Sequence, residues 1–174
     1  MTVIVITGPK NSGKSTLLYN IMDEYRVKVA TGGIITLGHE KRFFYNVKED
    51  VMFPFYGEDE EYLQVGRFRI SVDALNFAKQ GIIRAKDNKL IFIDEIGLLE
   101  KERKGLYLAV KPVLDEDSKD KLIFMVVREG VVEELERIFD ISNITVIELS
   151  EYPSKALIEE IHQRINLTLN IAES

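Results

Sequence analysis

The sequence contains no cysteine and only two histidines. Without cysteine the chain has neither a disulfide nor a thiolate metal site. The two histidines, His39 and His162, lie too far apart in the sequence to suggest a pair of metal ligands. Any metal ion that the protein binds is therefore expected to be held by oxygen atoms.

Long apolar runs and basic segments are also missing. No apolar run reaches the roughly 18 residues of a membrane-spanning helix, and the N-terminal residues lack the charged region of a signal peptide. The 23 Lys and Arg residues are outnumbered by 29 Asp and Glu residues, giving a net charge of -6. We therefore expect a cytoplasmic protein for which neither a membrane nor nucleic acid is the partner. The sequence does not identify a protein partner.

The 174 residues lie in the size range of one domain, so we expect a single domain over residues 1–174. Short β-branched runs predict strands at residues 3–7, 27–31, 90–93, 122–127 and 144–149. Apolar residues at three- and four-residue spacing predict helices at residues 15–25, 72–86, 105–114, 131–139 and 154–167. Ser71 and Ser154 stand as possible N-caps. This alternation predicts an α/β fold with a mainly parallel sheet.

Residues 32–70 depart from the alternation of strands and helices. Residues 34–37 and 42–47 flank a turn at 38–41, which indicates a β-hairpin that we expect to form an inserted β layer. The aromatic residues concentrated there are expected to pack the core of the hairpin, although a nucleobase or protein contact is the alternative. These residues are Phe43, Phe44, Tyr45, Phe53, Phe55 and Tyr56.

A phosphate-binding loop follows the first predicted strand. The motif G-x-x-x-x-G-K-[ST] is matched at every fixed position, between an apolar strand and a helix. In such a loop, backbone N–H groups and the helix N-terminus attract phosphate, the lysine reaches the β- and γ-phosphate oxygens, and the hydroxyl that follows it ligates Mg²⁺. The nucleotide-binding residues predicted here are Gly8, Pro9, Lys10, Asn11, Ser12, Gly13, Lys14, Ser15 and Thr16.

Two adjacent carboxylates follow the apolar strand at residues 90–93. We expect Asp94 to hold Mg²⁺ together with Ser15, since Mg²⁺ keeps most of its waters and needs only one or two protein oxygens. Glu95 would orient the water that attacks the γ-phosphate. Ile96 and Gly97 complete this Walker-B-like segment. The alternative, that the pair only ends a strand at the surface, is weakened by the phosphate loop in the same chain.

Arg128 follows the predicted strand at 122–127. If that strand lies beside the Asp94 strand, the guanidinium reaches the crevice of the γ-phosphate and acts in catalysis together with Lys14 and Glu95. An ion pair with Glu129 or Glu133 is the alternative, and the sequence does not decide between the two.

Through these motifs the chain resembles the small thermophile-type P-loop nucleoside-triphosphatase family. The resemblance is carried by residues 8–16, by Gly32-Gly33-Ile34, by Val65-Gly66-Arg67-Phe68, and by Ile93-Asp94-Glu95-Ile96-Gly97 followed by Glu100. It implies a three-layer RecA-like core with a hairpin insertion, and Mg²⁺-dependent hydrolysis of ATP, GTP and related nucleotides with loose base selectivity. The chain departs from the family at Asn11, where relatives commonly have Gly, and in the tail at 150–154, which lacks a common Asn-Arg pair.

Three functions use such a loop: hydrolysis, phosphoryl transfer to a small molecule or nucleotide, and nucleotide-gated binding with slow hydrolysis. Kinases of this size close an arginine-rich lid over the phosphates, whereas the arginines here are scattered. A carboxylate just after the Mg²⁺-binding aspartate favours activation of water. Hydrolysis is therefore the leading expectation.

Overall fold

The main sheet has seven strands and is mainly parallel. The computed structural model describes residues 1–56, 61–65, 68–116 and 118–172. Its strands are β1 (Thr2–Thr7), β2 (Thr31–Leu37), β3 (Phe43–Asn46), β4 (Val51–Pro54), β5 (Tyr62–Val65), β6 (Phe68–Ser71), β7 (Leu90–Ile96), β8 (Leu122–Val127) and β9 (Ile144–Glu148). The order in the sheet is β4-β3-β2-β7-β8-β1-β9, with only β3 and β4 antiparallel to their neighbours. The strand that precedes the phosphate loop and the strand that delivers Asp94 are therefore separated by β8.

Helices cover both faces of this sheet. They are α1 (Lys14–Tyr25), α2 (Val72–Arg84), α3 (Leu98–Lys101), α4 (Tyr107–Leu114), α5 (Glu129–Val132), α6 (Leu135–Phe139) and α7 (Lys155–Leu169). Helices α1 and α7 pack on one face, and α2, α4 and α6 on the other. Successive residues of the central strands alternate between the two resulting cores, because side chains of a strand point to opposite faces. The α/β fold with a RecA-like three-layer core is confirmed.

Two helix starts follow the predicted caps. The Ser71 hydroxyl accepts a hydrogen bond from the Ala74 amide at 3.0 Å, and the Ser154 hydroxyl accepts one from the Leu157 amide at 3.3 Å. Each satisfies an amide that has no partner within the helix.

The predicted helix at 131–139 is wrong as a single element. A turn at residues 133–134 divides it into α5 and α6. The Glu134 amide bonds to the Val131 carbonyl, three residues back, which interrupts the four-residue ladder of an α-helix.

The predicted strand at 27–31 is also wrong, since β2 begins only at Thr31. The amides of Lys28 and Val29 both bond to the Tyr25 carbonyl, so they continue the end of α1 rather than join the sheet. Val27 is 83% exposed. The apolar run thus reflects a helix end, which periodicity over five residues does not distinguish from a strand.

The hairpin is present, but it does not form a separate layer. Strands β3 and β4 extend the main sheet beyond β2, with Ile35 opposite Tyr45 and Phe44 opposite Phe53. Strands β5 and β6 form a second, two-stranded sheet that the sequence did not predict. Residues 57–60 and the family residues Gly66 and Arg67 lie outside the described residues. The expectation of one domain over residues 1–174 stays a prediction.

The aromatic residues of the hairpin mainly pack, as expected. Phe44, Tyr45 and Phe55 are buried, and the rings of Phe44 and Phe55 lie 4.2 Å apart. Tyr56 is 43% exposed. In the part of the chain that the structure describes, no helix combines the length and the apolar character needed to cross a membrane.

Candidate functional site

The phosphate loop turns sharply between β1 and α1. Gly8 has φ of 131°, and a Cβ atom there would lie 2.0 Å from the Leu149 carbonyl oxygen, so a side chain has no room. Gly13, the N-cap of α1, has φ of 86° and packs against the Tyr152 ring. Asn11 has φ of 68°, a conformation that asparagine tolerates better than most residues. Asparagine can therefore adopt the backbone conformation that this position of the loop requires.

The other predicted loop residues differ in exposure. Ser12 is buried, with 4% of its surface exposed, and Ser15 is half-buried. Pro9, Lys10 and Thr16 lie at the surface.

The Lys14 side chain lies over the loop from which it starts. Its ammonium donates to the Gly8 carbonyl at 2.9 Å, to the Pro9 carbonyl, and to the Ser12 hydroxyl at 3.2 Å. Burial lowers the pKa of the Lys14 ammonium, while the charges of Asp94, Glu129 and Glu95 act in the opposite direction. The loop cation and these carboxylates therefore share one crevice.

The Asp94 carboxylate is fully buried at the end of β7. It falls on the same face of the strand as Phe92, which packs in the core that contains α1. Its Oδ2 accepts a hydrogen bond from the Thr36 amide at 3.0 Å, and its Oδ1 accepts one from the Glu95 amide at 2.8 Å. The Ser15 side chain lies near this carboxylate, and its hydrogen-bonding effect lowers the pKa of Asp94. Residues of the two sequence motifs thus lie beside each other.

Burial, and secondly the charge of Glu95, raise the pKa of Asp94 to about 7, against the opposing effect of the three hydrogen bonds. Because the ionised form of Asp94 is unfavourable in this buried place, a nearby cation would stabilise it. The site therefore has the chemistry to hold a positive ion.

Glu95 lies on an irregularity of β7, between Ile93 and Ile96, and has φ of 76°. Positive φ is uncommon for a residue with a side chain, and such strain concentrates at functional sites. The carboxylate forms an ion pair with Arg42, whose guanidinium stacks 4.6 Å from the centre of the Phe55 ring. Sequence reasoning missed Arg42, because no motif marks it and only the strand order brings it to Glu95.

The turn after Glu95 is held by a buried acid. Gly97 donates its amide to Glu100 Oε2 at 2.7 Å, and Leu106 donates its amide to Glu100 Oε1 at 2.8 Å. Burial raises the pKa of the Glu100 carboxyl, against the lowering effect of these two bonds. Ile96 is buried and accepts the Arg128 amide at 2.9 Å. Glu100 thus supports the turn.

Arg128 lies between the end of β8 and the start of α5. Strand β8 does lie beside β7, so Arg128 and Glu129 stand at the crevice end of the sheet, between the two motifs. Arg128 is exposed, and within the described residues it forms no ion pair with Glu129 or Glu133. The role of Arg128 in catalysis stays a prediction.

The oxygen atoms at this end of the sheet fit a magnesium ion. The described residues contain no cluster of three or more His, Cys, Asp or Glu side chains that could enclose a metal. Asp94 and the Ser15 hydroxyl are two neighbouring hard oxygen donors, the number that Mg²⁺ takes from protein when phosphates and waters supply the rest. The buried hydroxyls of Thr7 and Thr36, at the ends of β1 and β2, have no bonding partner in the described structure.

A model of the protein family described as NTPase matches residues 3–162, which is most of the chain. The chain belongs to the NTPase family. It is accordingly a nucleotide-binding enzyme with nucleoside-triphosphate phosphohydrolase activity, and the resemblance noted from the sequence is confirmed. No curated protein sequence matches the chain.

Two solved structures share the fold of this NTPase. THEP1 from the hyperthermophile Aquifex aeolicus has a TM-score of 0.65 at 20% identity, with 94% of this chain and 99% of that chain covered. A human cancer-related nucleoside triphosphatase has a TM-score of 0.68 at 16% identity, with 99% and 100% covered. At these identities the likeness concerns the fold alone.

Proposed function

We propose that this NTPase hydrolyses ATP, GTP and related nucleoside triphosphates to the diphosphate and phosphate, with Mg²⁺ and with loose base selectivity. The observation that carries the proposal is the buried Asp94 carboxylate at the end of β7, which two backbone amides orient and which lies near Ser15 of the phosphate loop. The two motifs thus meet where the γ-phosphate and its metal ion would lie. We also propose, from the sequence, a cytoplasmic location.

The loop residues bind and orient the triphosphate. Backbone amides of residues 8–16 and the N-terminus of α1 would attract the phosphates. The Lys14 ammonium would leave its hydrogen bonds to the loop carbonyls and bind the β- and γ-phosphate oxygens instead. Ser15 and Asp94 would hold Mg²⁺, which when bound supplies positive charge to those oxygens. Asp94 is suited to this because both of its oxygens are already oriented by backbone amides.

Glu95 would orient the attacking water and accept its proton. The water oxygen forms a bond to the γ-phosphorus while the bond from that phosphorus to the β–γ bridging oxygen breaks, so a nucleoside diphosphate and phosphate leave. Arg128, exposed at the end of β8, would stabilise the charge that develops on the transferred group. Catalysis in this scheme is mainly positioning and electrostatic stabilisation.

The experiment is Glu95→Gln, which keeps size and most hydrogen bonding but removes the charge and the proton-accepting function. A positioned general base contributes about 10²- to 10⁴-fold, so kcat for phosphate release at saturating Mg-ATP should fall by at least the smaller factor. KM should change much less, since the lost interaction acts in the transition state. Glu49→Gln is the matched control, because Glu49 also pairs with an arginine, Arg84, away from the crevice.

The outcomes separate the three candidate functions. A drop smaller than about threefold with intact nucleotide binding would show that Glu95 only ends a strand, and would favour nucleotide-gated binding. Phosphoryl transfer is tested by repeating the assay with nucleoside and sugar acceptors. Labelled phosphate appearing on an acceptor faster than in water would establish a kinase.

A further inference from the structure

Arg42 reaches the candidate site through the topology of the sheet. It stands just before β3, in the connection that follows β2. Because β2 runs parallel to β7, the ends of both strands lie at the same edge of the sheet. This connection therefore brings Arg42 beside Glu95, which is 53 residues away in the sequence.

The guanidinium of Arg42 is held from two sides. One nitrogen donates to Glu95 Oε1, and the planar group lies over the ring of Phe55, which is itself buried. The Arg42 carbonyl also accepts the Phe55 amide at 2.9 Å. The solvent-exposed fractions of the Arg42 and Glu95 side chains are only 27% and 34%. A stacked and partly desolvated arginine is more restricted than one that pairs in open solvent.

Glu95 needs such a partner if it is to act on a water molecule. A long carboxylate side chain otherwise spreads over several rotamers. Within the described residues no donor is bonded to Oε2. Glu95 also follows Asp94 directly, and Arg42 offsets the repulsion between these neighbouring carboxylates.

We propose that Arg42 is a positioning residue of the hydrolytic reaction: it binds Glu95 Oε1 and so directs Oε2 toward the attacking water. This inference rests on the proposed function, because it assigns to Arg42 an action through Glu95. The competing explanation is that Arg42 only fastens the hairpin to the sheet. An ordinary surface ion pair contributes little to stability and nothing to chemistry, so the two explanations differ in what kinetics measure.

The test is a double-mutant cycle of Arg42→Ala and Glu95→Gln, read as kcat and KM for phosphate release. Loss of orientation should lower kcat by about tenfold or more in Arg42→Ala, with KM within about threefold. In the Glu95→Gln background the same substitution should change kcat by less than about twofold, because the group that Arg42 positions is no longer a base. Arg42→Lys keeps the charge without the planar group and should recover part of the loss.

Arg84→Ala is the matched control. Arg84 pairs with Glu49 and is 57% exposed, and its removal should leave kcat unchanged in both backgrounds. Thermal unfolding of every variant shows whether it is folded. Should Arg42→Ala not fold, Arg42→Lys in the two Glu95 backgrounds gives the same comparison.

Three results would overturn the inference while leaving the proposed function intact. They are an unchanged kcat in Arg42→Ala, an equal fold loss in both backgrounds, and a tenfold rise of KM at unchanged kcat, which would mean contact with the nucleotide. An unchanged kcat in Glu95→Gln alone would instead defeat the role proposed for Glu95, and this inference with it.

Discussion

The buried carboxylate of Asp94 accepts a hydrogen bond from the backbone amide of Thr36, with 3.0 Å between Oδ2 and the nitrogen. Thr36 belongs to the neighbouring strand β2 and lies 58 residues away in the sequence. Together with the bond from the Glu95 amide to Oδ1, this bond orients the carboxylate. Both donors are backbone groups, so no donor side chain has to be ordered. The direction in which Asp94 faces Ser15 is thus set by backbone groups of the sheet.

The Asp94→Asn variant tests both the metal and this arrangement. The amide NH₂ must face one of the two backbone N–H donors, so we expect the free energy of unfolding to fall by about 1–3 kcal/mol. Turnover that depends on Mg²⁺ should fall by about 10²-fold or more, whereas nucleotide binding in excess chelator should change much less. Phosphate release over a magnesium titration measures the first effect. Equal activity of the unmodified protein with and without chelator would exclude the proposed role of the metal.

Lys14→Ala removes the cation of the loop. Hydrogen bonds to charged groups contribute about 1.5–3 kcal/mol, so nucleotide affinity should fall roughly 10- to 150-fold, with a parallel loss of turnover. The protein should remain folded, because the ammonium bonds only to its own loop. Equilibrium binding of a fluorescent nucleotide and circular dichroism measure these effects, with the exposed Lys155→Ala as control. Unchanged binding in a folded variant would contradict the assignment.

Arg128→Ala tests whether the exposed guanidinium acts on the transferred phosphate. Loss of one well-placed donor to developing charge costs about 10²-fold in kcat, and we expect a loss of that order. Stability should change by less than about 0.5 kcal/mol, since the described structure shows no ion pair for this side chain. Arg137→Ala, which removes an arginine that is 75% exposed, is the control. If kcat stays within about twofold of the unmodified value, Arg128 is a surface residue.

Glu100→Gln should change the pH dependence of stability. Burial raises the pKa of Glu100 above its ordinary value of 4.5, so the folded protein binds this proton more tightly than the unfolded chain does. The stability that Glu100 contributes is fully present below the pKa of this carboxyl in the unfolded chain. It is lost as pH rises through its pKa in the folded protein. Glutamine does not titrate. The free energy of unfolding of the unmodified protein, relative to that of Glu100→Gln, should therefore fall as pH rises from the unfolded to the folded pKa of Glu100.

Urea unfolding of both proteins at a series of pH values from about 4 upward measures the Glu100 effect. Other carboxylates titrate in both proteins and cancel in the difference. A difference that stays constant with pH, or grows as pH rises, would contradict the prediction.

The phosphate loop and the Asp94-Glu95 pair could be predicted from the sequence because each is contiguous. Backbone conformation, glycine positions and the adjoining strand and helix are local properties, and they are encoded within about ten residues. The same locality explains the success of the Ser71 and Ser154 caps. It also explains the error at residues 27–31, where a short apolar run fits a strand and a helix end equally well.

The sequence by itself therefore determined the α/β class, the loop and the carboxylate pair. Tertiary structure alone decided which groups surround them: Arg42 on Glu95, and Thr36 on Asp94. These contacts join residues more than 50 positions apart and depend on strand order and direction, for which a single sequence carries no local signal. Strand order also placed Arg128 at the same edge of the sheet as the two motifs, because β8 lies between the strands that carry them.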